Sequence, residues 1–411
     1  MEDNKLSVHH LYVHFPFCRS KCAYCGFYSI VPHSECFDSL YSGYLSSLEA
    51  ELSYYASEYN LSHLETIFIG GGSPSFKSSF IADLHTILSR TLCPYKPSDE
   101  KAEKKPDIKP DKKSSADDFF PNISISEFTT ECNPTQITDE FIRTALAAGV
   151  NRFSMGVQSF SDDALRRFGR HQTADDVFRA LDLFAAAHSL HPHFTVSIDL
   201  INHLMLTQSD VDNEMAALCN VITRYDFIRH ISVYDLTFDE GSRIYKDKSL
   251  RRSFSHSEDV STLYWQRLSE IMSAAGFVRY EVSNWCRQGF ECQHNLGYWH
   301  YRNYIGLGPA AHSTVGDLRI ENIRDVSSYI SDWQSSRTVT RLTKQEQAEE
   351  YLLMNLRLPN NPINEDIVKL IPNSIKHYQE IGWLNSDYAI TDLGLDYLNT
   401  MLVDMFDELS R

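Results

Sequence analysis

The sequence lacks an apolar run long enough to cross a membrane, and it has no excess of basic residues. A spanning helix needs about 20 consecutive, mostly apolar residues, so we expect no transmembrane segment. The formal net charge of −17 argues against non-specific nucleic-acid binding, which needs a basic face. The first residues are acidic and do not have the basic-then-apolar layout of a signal peptide. We therefore expect a cytoplasmic protein.

A disulfide framework and the common nucleotide-binding motifs are also missing. Nine cysteines spread over 411 residues do not form the dense pattern of a small disulfide-rich domain, and free thiols fit a reducing compartment. The glycine run at residues 70–72 is not followed by Gly-Lys-Ser/Thr, so it is not a P-loop. An apolar content of 42% supports an extensive core.

Three cysteines do lie close together, in the spacing C-x3-C-x2-C: Cys18, Cys22 and Cys25. Four-iron clusters are usually held by four thiolates, so three would leave one iron open to a small molecule. A zinc site with a distant fourth ligand and chance clustering are the alternatives. Zinc sites usually pair two cysteine knuckles, and no second knuckle occurs here. The spacing, with aromatic residues on both sides, predicts a [4Fe–4S] cluster.

Apolar strands alternate with amphipathic helices through the first part of the chain. We predict strands at residues 11–14, 66–69, 123–130, 152–155, 194–200 and 228–234, with helices between them. Such alternation implies a parallel sheet with right-handed crossovers. We therefore predict an α/β fold, a partial (β/α)6-type barrel with its site at the carboxyl ends of the strands.

Three regions follow from this pattern. We assign residues 1–240 to the barrel, 241–340 to a barrel extension, and 341–411 to a small, mostly helical, winged-helix-like domain. Residues 96–118 interrupt the barrel with seven Lys, seven acidic residues, three Pro and three Ser. Such a segment cannot bury enough surface to fold alone, so we predict a disordered insert; a docking segment is the alternative.

The cysteine motif, together with Gly70-Gly-Gly-Ser-Pro74 and Glu131-Cys-Asn-Pro134, resembles the radical S-adenosylmethionine (SAM) superfamily. More narrowly, the chain is similar to the branch that contains oxygen-independent coproporphyrinogen III oxidases and HemW-type heme chaperones. In the superfamily the open iron binds the amino and carboxylate groups of SAM, and the reduced cluster cleaves SAM to a 5′-deoxyadenosyl radical. The resemblance also implies an electron donor such as flavodoxin or ferredoxin.

The resemblance implies a set of SAM-binding residues, most of which follow predicted strands. Ser73 replaces the threonine that is usual in the family's glycine motif and keeps its hydroxyl group. After Asp199 the family usually continues with Gly-Leu-Pro-Gly-Gln-Thr, whereas residues 201–207 here are bulkier. Either this loop is rebuilt or the SAM pocket is altered at its edge. The residues assigned to SAM are Tyr12, Tyr24, Gly71, Gly72, Ser73, Glu131, Gln158, Arg170 and Asp199.

The two related families differ at positions that can be compared directly. The oxidases usually carry a fourth cysteine two residues after the third, where this chain has Phe27, and a long N-terminal arm, where only seventeen residues precede Cys18. Both points favour the chaperone branch. In that branch the His-Asn-x-x-Tyr-Trp segment, residues 294–299 here, is implicated in heme binding.

The resemblance therefore makes His294 the first candidate for heme contact, with Tyr298 and Trp299 packing beside it and His312 as a second candidate. A neutral imidazole is a common axial ligand of heme iron, but a lone histidine is more often a structural residue in the core. We expect a protein that binds a cluster, SAM and heme and delivers heme to apoproteins. The alternatives are oxidative decarboxylation of coproporphyrinogen propionates and a degenerate cluster protein that only binds partners.

Overall fold

The computed structural model describes residues 5–92, 123–248, 251 and 258–411. The predicted insert at residues 96–118 lies outside the described residues. Within the described part of the chain, twelve strands form one sheet, and helices cover it. No helix in these ranges combines the length and the apolar character needed to span a membrane.

The first six strands pair in parallel and in chain order. This confirms the α/β prediction. The third strand begins at residue 127 rather than at the predicted 123, and its ladder with the second strand starts at the pair Thr66 and Glu127. The strands are β1 (His10–Phe15), β2 (Thr66–Gly71), β3 (Glu127–Cys132), β4 (Arg152–Gln158), β5 (Thr195–Asn202) and β6 (Ile228–Asp235).

Helices connect these strands and bury one apolar face each against the sheet. They are α1 (Ser34–Glu58), α2 (Phe80–Leu92), α3 (Asp139–Ala147), α4 (Asp162–Arg167), α5 (Ala174–Leu190) and α6 (Gln208–Arg224). A capping box of Thr173 and Asp176 opens α5, and an equivalent pair, Thr207 and Asp210, opens α6. Each box satisfies backbone N–H groups that have no partner inside the helix.

The next region closes both edges of the parallel sheet. One new strand pairs in parallel with β1, and another pairs antiparallel with β6. The remaining strands extend the sheet as antiparallel ribbons. The elements are α7 (Arg243–Lys246), α8 (Glu258–Ala274), β7 (Val278–Arg279), β8 (Asn284–Cys286), α9 (Gln293–Trp299), β9 (Tyr304–Leu307), β10 (His312–Val315), β11 (Leu318–Glu321), α10 (Val326–Asp332) and β12 (Thr338–Arg341).

The C-terminal region is helical and has a hydrophobic core of its own. An antiparallel bridge joins Leu384 and Ile390. Gly394 packs so tightly on the Trp383 carbonyl that a Cβ would lie 2.3 Å from its oxygen. The helices are α11 (Lys344–Asn355), α12 (Glu365–Val368), α13 (Pro372–Glu380), α14 (Asp392–Leu395) and α15 (Leu398–Leu409).

A buried carboxyl group joins the first helix to the added strands. Glu51 on α1 is fully buried and accepts hydrogen bonds from Tyr329 Oη at 2.6 Å, Asn322 Nδ2 at 2.7 Å and the Gly308 backbone N–H at 2.9 Å. Burial, partly offset by these three donors, raises the pKa of Glu51 to about 7.

We expect Glu51→Gln to remove part of the pH dependence of stability. The raised pKa means that the folded chain keeps a proton that the unfolded chain releases above its ordinary value of 4.5. Wild-type stability should therefore fall as pH rises from about 4.5 to 7, by up to about 3 kcal/mol from this group. Urea unfolding of the apoprotein across this range measures it, with Glu58→Gln, an exposed position on the same helix, as the control. Parallel pH curves for wild type and Glu51→Gln would contradict the assignment.

Candidate cofactor site

The cysteine loop follows β1 at the carboxyl end of the barrel. Its base is fixed by two backbone hydrogen bonds, from Cys18 N to Ile30 O at 2.9 Å and from Ile30 N to Pro16 O at 2.8 Å. Cys18, Cys22 and Cys25 are all free and half-buried. The loop therefore holds three thiols at the end of the barrel where catalytic groups are expected.

The surroundings of the thiols favour their protonated form as long as no metal binds. Burial raises the pKa of Cys18, and it raises that of Cys25 to about 11, with neighbouring thiols adding to both shifts. Metal binding would deprotonate these groups, as it does for coordinating thiols in general.

The donor set fits an iron–sulfur cluster. Among the described residues, no three or more His, Cys, Asp or Glu side chains converge where a single metal ion could bind. Three thiolates that each bind a separate iron of a cluster do not have to converge in that way. The same loop has an unsatisfied polar neighbour, because the buried Nε of Arg170 has no hydrogen-bond partner.

Arg170 crosses from the segment after β4 to the cysteine loop. Its Nη1 lies 3.4 Å from Cys22 Sγ, and its Nη2 donates to Gly156 O at 2.5 Å and to Asn133 Oδ1 at 3.1 Å. Burial opposes the charge, but Tyr24 and the thiols outweigh it and raise the pKa of Arg170. A fixed positive charge thus faces the thiols.

The glycine loop after β2 packs directly on the cysteine loop. Gly72 N donates to Phe15 O at 2.7 Å and Ser73 N to Phe17 O at 2.9 Å. A Cβ on Gly72 would lie 2.6 Å from Phe17 O, so no larger residue fits there. Ser73 is buried, and its hydroxyl donates to Gln136 and accepts from Asn133, so this side chain joins the loops after β2 and β3.

Gly71 has a positive φ of 104° and lies over the His14 imidazole. A Cβ there would come within 2.5 Å of the ring. His14 Nε2 donates to the Tyr28 carbonyl at 2.9 Å, and its Nδ1 accepts from Tyr12 Oη at 3.0 Å. Sequence reasoning missed His14; its place two residues after Tyr12 on a strand, pointing to the same face, was the available signal.

Two carboxyl groups inside the barrel lie on β3 and β5, the strands on either side of β4. Glu131 accepts from Gly71 N at 3.2 Å, and Asp199 accepts from Ser154 Oγ at 2.9 Å. Burial and then the nearby Asp199 raise the pKa of Glu131 to about 8, and burial also raises that of Asp199. Both groups would be stabilised in their charged form by a cationic or hydroxyl-bearing ligand.

Gln158 ends β4 with a φ of 67°, in the left-handed region that is costly for a residue with a side chain. The following turn is held by Glu214 on α6, which accepts from Ser159 Oγ at 2.9 Å and Phe160 N at 3.0 Å. Sequence reasoning also missed Glu214, because its partners are more than fifty residues away. Its buried carboxylate fixes the direction in which Gln158 leaves the strand.

Several polar contacts hold the loop that follows Asp199. Asn202 Nδ2 donates to Asp235 Oδ1 at 3.0 Å, and His203 Nε2 lies 3.2 Å from the same oxygen. His203 has a φ of 71°, and Arg167 Nη2 donates to Leu204 O at 2.7 Å. Polar side chains thus stabilise the turn at this edge of the barrel.

The predicted heme-contact residues lie at the opposite end of the barrel. His294 on α9 is buried, with Nδ1 2.7 Å from Thr66 Oγ1 and Nε2 2.8 Å from Tyr298 Oη. Thr66 begins β2 and Gly71 ends it, so five residue steps, or about 17 Å, separate the two ends. Since both ring nitrogens are bonded to protein groups, these contacts do not support His294 as an axial ligand.

The other two members of this segment have structural partners as well. Tyr298 packs edge-on against Tyr304 at 4.5 Å, and the Arg357 guanidinium lies 4.4 Å from the centre of the Trp299 ring. Arg357 belongs to the C-terminal region and also pairs with the fully buried Glu281 at 3.1 Å. His312, the second candidate, is exposed on β10.

Comparisons with known proteins identify the family to which the chain belongs. The sequence profile of the Radical SAM superfamily matches residues 12–212. Heme chaperone HemW from Bacillus subtilis (strain 168) is 30% identical over 400 residues, which cover 92% of this chain and 93% of that protein. Radical S-adenosyl methionine domain-containing protein 1, mitochondrial, from Danio rerio is 30% identical over 363 residues, covering 85% of this chain and 72% of that protein.

One solved structure is similar over nearly the whole chain. Coproporphyrinogen III oxidase (HemN) from Escherichia coli, a radical SAM enzyme, has a TM-score of 0.73 and covers 98% of this chain and 91% of its own. The sequence identity is 18%, so this likeness shows the fold alone.

We expect Gly71→Ala to damage the cofactor end of the barrel more than a matched glycine substitution elsewhere. Gly289 has a similar φ of 82° but nothing within 4 Å of an added Cβ. Gly289→Ala should therefore cost only the backbone strain, about 1–3 kcal/mol. Gly71→Ala adds a clash with the His14 ring and should also lower cluster content after anaerobic reconstitution. Thermal unfolding measures the loss of stability, and iron analysis measures the cluster content. Equal effects of the two variants would contradict the packing argument.

Proposed function

Because the chain belongs to the HemW family of radical SAM proteins, we propose that it binds a [4Fe–4S] cluster, SAM and heme and delivers heme to apoproteins. The observation that supports this most is the extent of the match. Sequence identity to a HemW protein covers 92% of this chain, so it includes the barrel, the extension and the C-terminal region.

The cluster would be held by Cys18, Cys22 and Cys25. When bound, the reduced cluster and SAM supply a 5′-deoxyadenosyl radical in this superfamily. The side chains around the loop have separate tasks. Arg170 provides a positive charge beside Cys22, which suits a cluster that carries negative charge, and the edge-on contact of Tyr24 with Phe168 at 5.7 Å shields one side.

SAM would lie at the carboxyl ends of β2 to β5. The backbone of Gly71 and Gly72 gives a ligand close access, and Glu131 would receive its ammonium group. Because the pKa of Glu131 is about 8, the free carboxyl holds a proton near neutral pH, and a bound cation would release that proton. Asp199 would accept from hydroxyl groups, while Gln158 and Tyr12 complete the wall.

The residue at position 27, Phe27, favours the heme-chaperone function over the oxidase reaction. This side chain is 69% exposed on the cysteine loop, at the position where the oxidases usually carry a fourth cysteine. The structural likeness to the oxidase concerns the fold and does not favour its reaction. The heme contacts proposed for His294, Tyr298 and Trp299 come from the resemblance, and the buried hydrogen bonds of His294 weigh against them.

The proposal includes partners and a compartment. Reduction of the cluster requires an electron donor such as flavodoxin or ferredoxin, and heme delivery requires an acceptor apoprotein. We keep the cytoplasm as the proposed location, because the described cysteines are free thiols and such thiols persist in reducing compartments.

We expect replacement of Cys18, Cys22 or Cys25 by Ala to abolish the iron–sulfur absorbance after anaerobic reconstitution, since each thiolate would bind a different iron. Cys36→Ala is the matched control, because this exposed cysteine follows the loop without belonging to the motif. It should leave iron and sulfide content unchanged. A triple variant of the three loop cysteines that still holds four irons would rule out these cysteines as the cluster ligands.

The function is tested by heme transfer. The reconstituted protein should bind heme stoichiometrically and release it when mixed anaerobically with apomyoglobin, because a carrier needs a site from which heme can leave. Stopped-flow absorbance follows the transfer, with free heme as the reference. A protein that binds no heme, or that never yields it to apomyoglobin, would contradict the chaperone proposal.

A further inference from the structure

A cleft of about 820 Å³ opens beside the cysteine loop, at the cofactor end of the barrel. Cys22 contributes to its wall, so the cleft adjoins the proposed cluster. Among the described residues, the charged side chains of its lining are four cations and one anion: Lys21, Arg243, Lys246, Lys248 and Asp247. Binding sites for cofactors and small ligands usually measure about 300–1,000 Å³, so the size suits a molecule of that class.

The two walls of the cleft are fixed to each other. The segment after β6 that carries Arg243 and Lys246 donates from Ile244 N to Ala23 O, in the cysteine loop, at 2.8 Å. Gly26 lies so close to this segment that a Cβ would come within 2.4 Å of Asp239 Oδ2. The cations are therefore held in place against the loop that would bind the cluster.

The charge of the cleft opposes that of the whole molecule. The chain has a net charge of −17, yet the cleft has a local excess of positive side chains. A concave surface lined by one sign of charge concentrates ligands of the opposite sign. The occupant should therefore be an anion.

Apolar surface lies next to these charges. Phe27 is 69% exposed on the cysteine loop, and its backbone carbonyl accepts from Lys21 Nζ at 3.3 Å, so this residue lies next to one wall. Tyr245 is 39% exposed between the two cations of α7. A ligand with a flat apolar body and acidic groups at one edge would match both features.

We infer that this cleft is the heme site, and that Lys21, Arg243 and Lys246 bind the heme propionates. The inference rests on the proposed function, which supplies heme as the ligand, and it gives that ligand a location. It also separates heme from His294, which is enclosed at the other end of the barrel. An open cleft at the surface allows the ligand to leave, as delivery requires.

The test reverses charges in the cleft and compares two ligands. The variant is Arg243→Glu with Lys246→Glu. The control is Lys369→Glu with Lys376→Glu, which reverses two exposed lysines of the C-terminal region and changes the net charge equally. The ligands are heme and heme dimethyl ester, whose propionate charges are removed. Absorbance titration gives each Kd, and iron analysis after reconstitution shows whether the cluster is retained.

We expect the cleft variant to raise the Kd for heme about tenfold or more, because hydrogen bonds to charged groups are lost. Its Kd for the dimethyl ester and its cluster content should stay within about twofold of wild type, and the control should bind both ligands like wild type. An equal loss for both ligands would overturn the charge assignment. Unchanged heme affinity would rule out this cleft as the heme site and leave the proposed function standing. The same holds if the only defect of the variant is slower reduction of its cluster by flavodoxin. If wild type binds no heme, the proposed function itself fails.

Discussion

The close packing of the glycine loop on β1 and the cysteine loop is the contact on which the cofactor end of this barrel depends. Gly72 and Ser73 donate to backbone carbonyls on either side of Pro16, and Gly71 leaves no space above the His14 ring. This geometry directs the Gly71 N–H at Glu131, to which it donates a hydrogen bond. One set of backbone contacts thus fixes the position of the thiols and of the groups proposed to hold SAM.

The two ends of the barrel have different roles in this account. The carboxyl end carries the thiols, the buried carboxyl groups and the cationic cleft. The amino end is closed by α9, whose first N–H groups are capped by the buried Glu127. Trp299 on the same helix lies under Arg357 of the C-terminal region. The His-Asn-x-x-Tyr-Trp segment therefore has a structural role here: it covers the amino end of the barrel and contacts the C-terminal helices.

Much of the fold could be predicted from sequence, because strand and helix periodicities are local. The six parallel strands, the capping box before α5 and the order of the motifs along the chain were all accessible in that way. The closure of the sheet by β9 was not, since its pairing with β1 joins residues nearly three hundred positions apart. The same distance problem concealed the role of Glu214, whereas His14 had a local signal in its spacing from Tyr12. The family resemblance suggested His294 as a heme ligand. The two buried hydrogen bonds that occupy its ring nitrogens are visible only in the packing of α9.

The central claim is that this chain carries heme and does not convert a porphyrinogen. The most direct test is anaerobic incubation of the reconstituted protein with coproporphyrinogen III, SAM and a reductant, with the Escherichia coli oxidase as the positive control. The account predicts no release of carbon dioxide from the propionate side chains, while the same preparation retains heme. Catalytic release of carbon dioxide together with 5′-deoxyadenosine would contradict it.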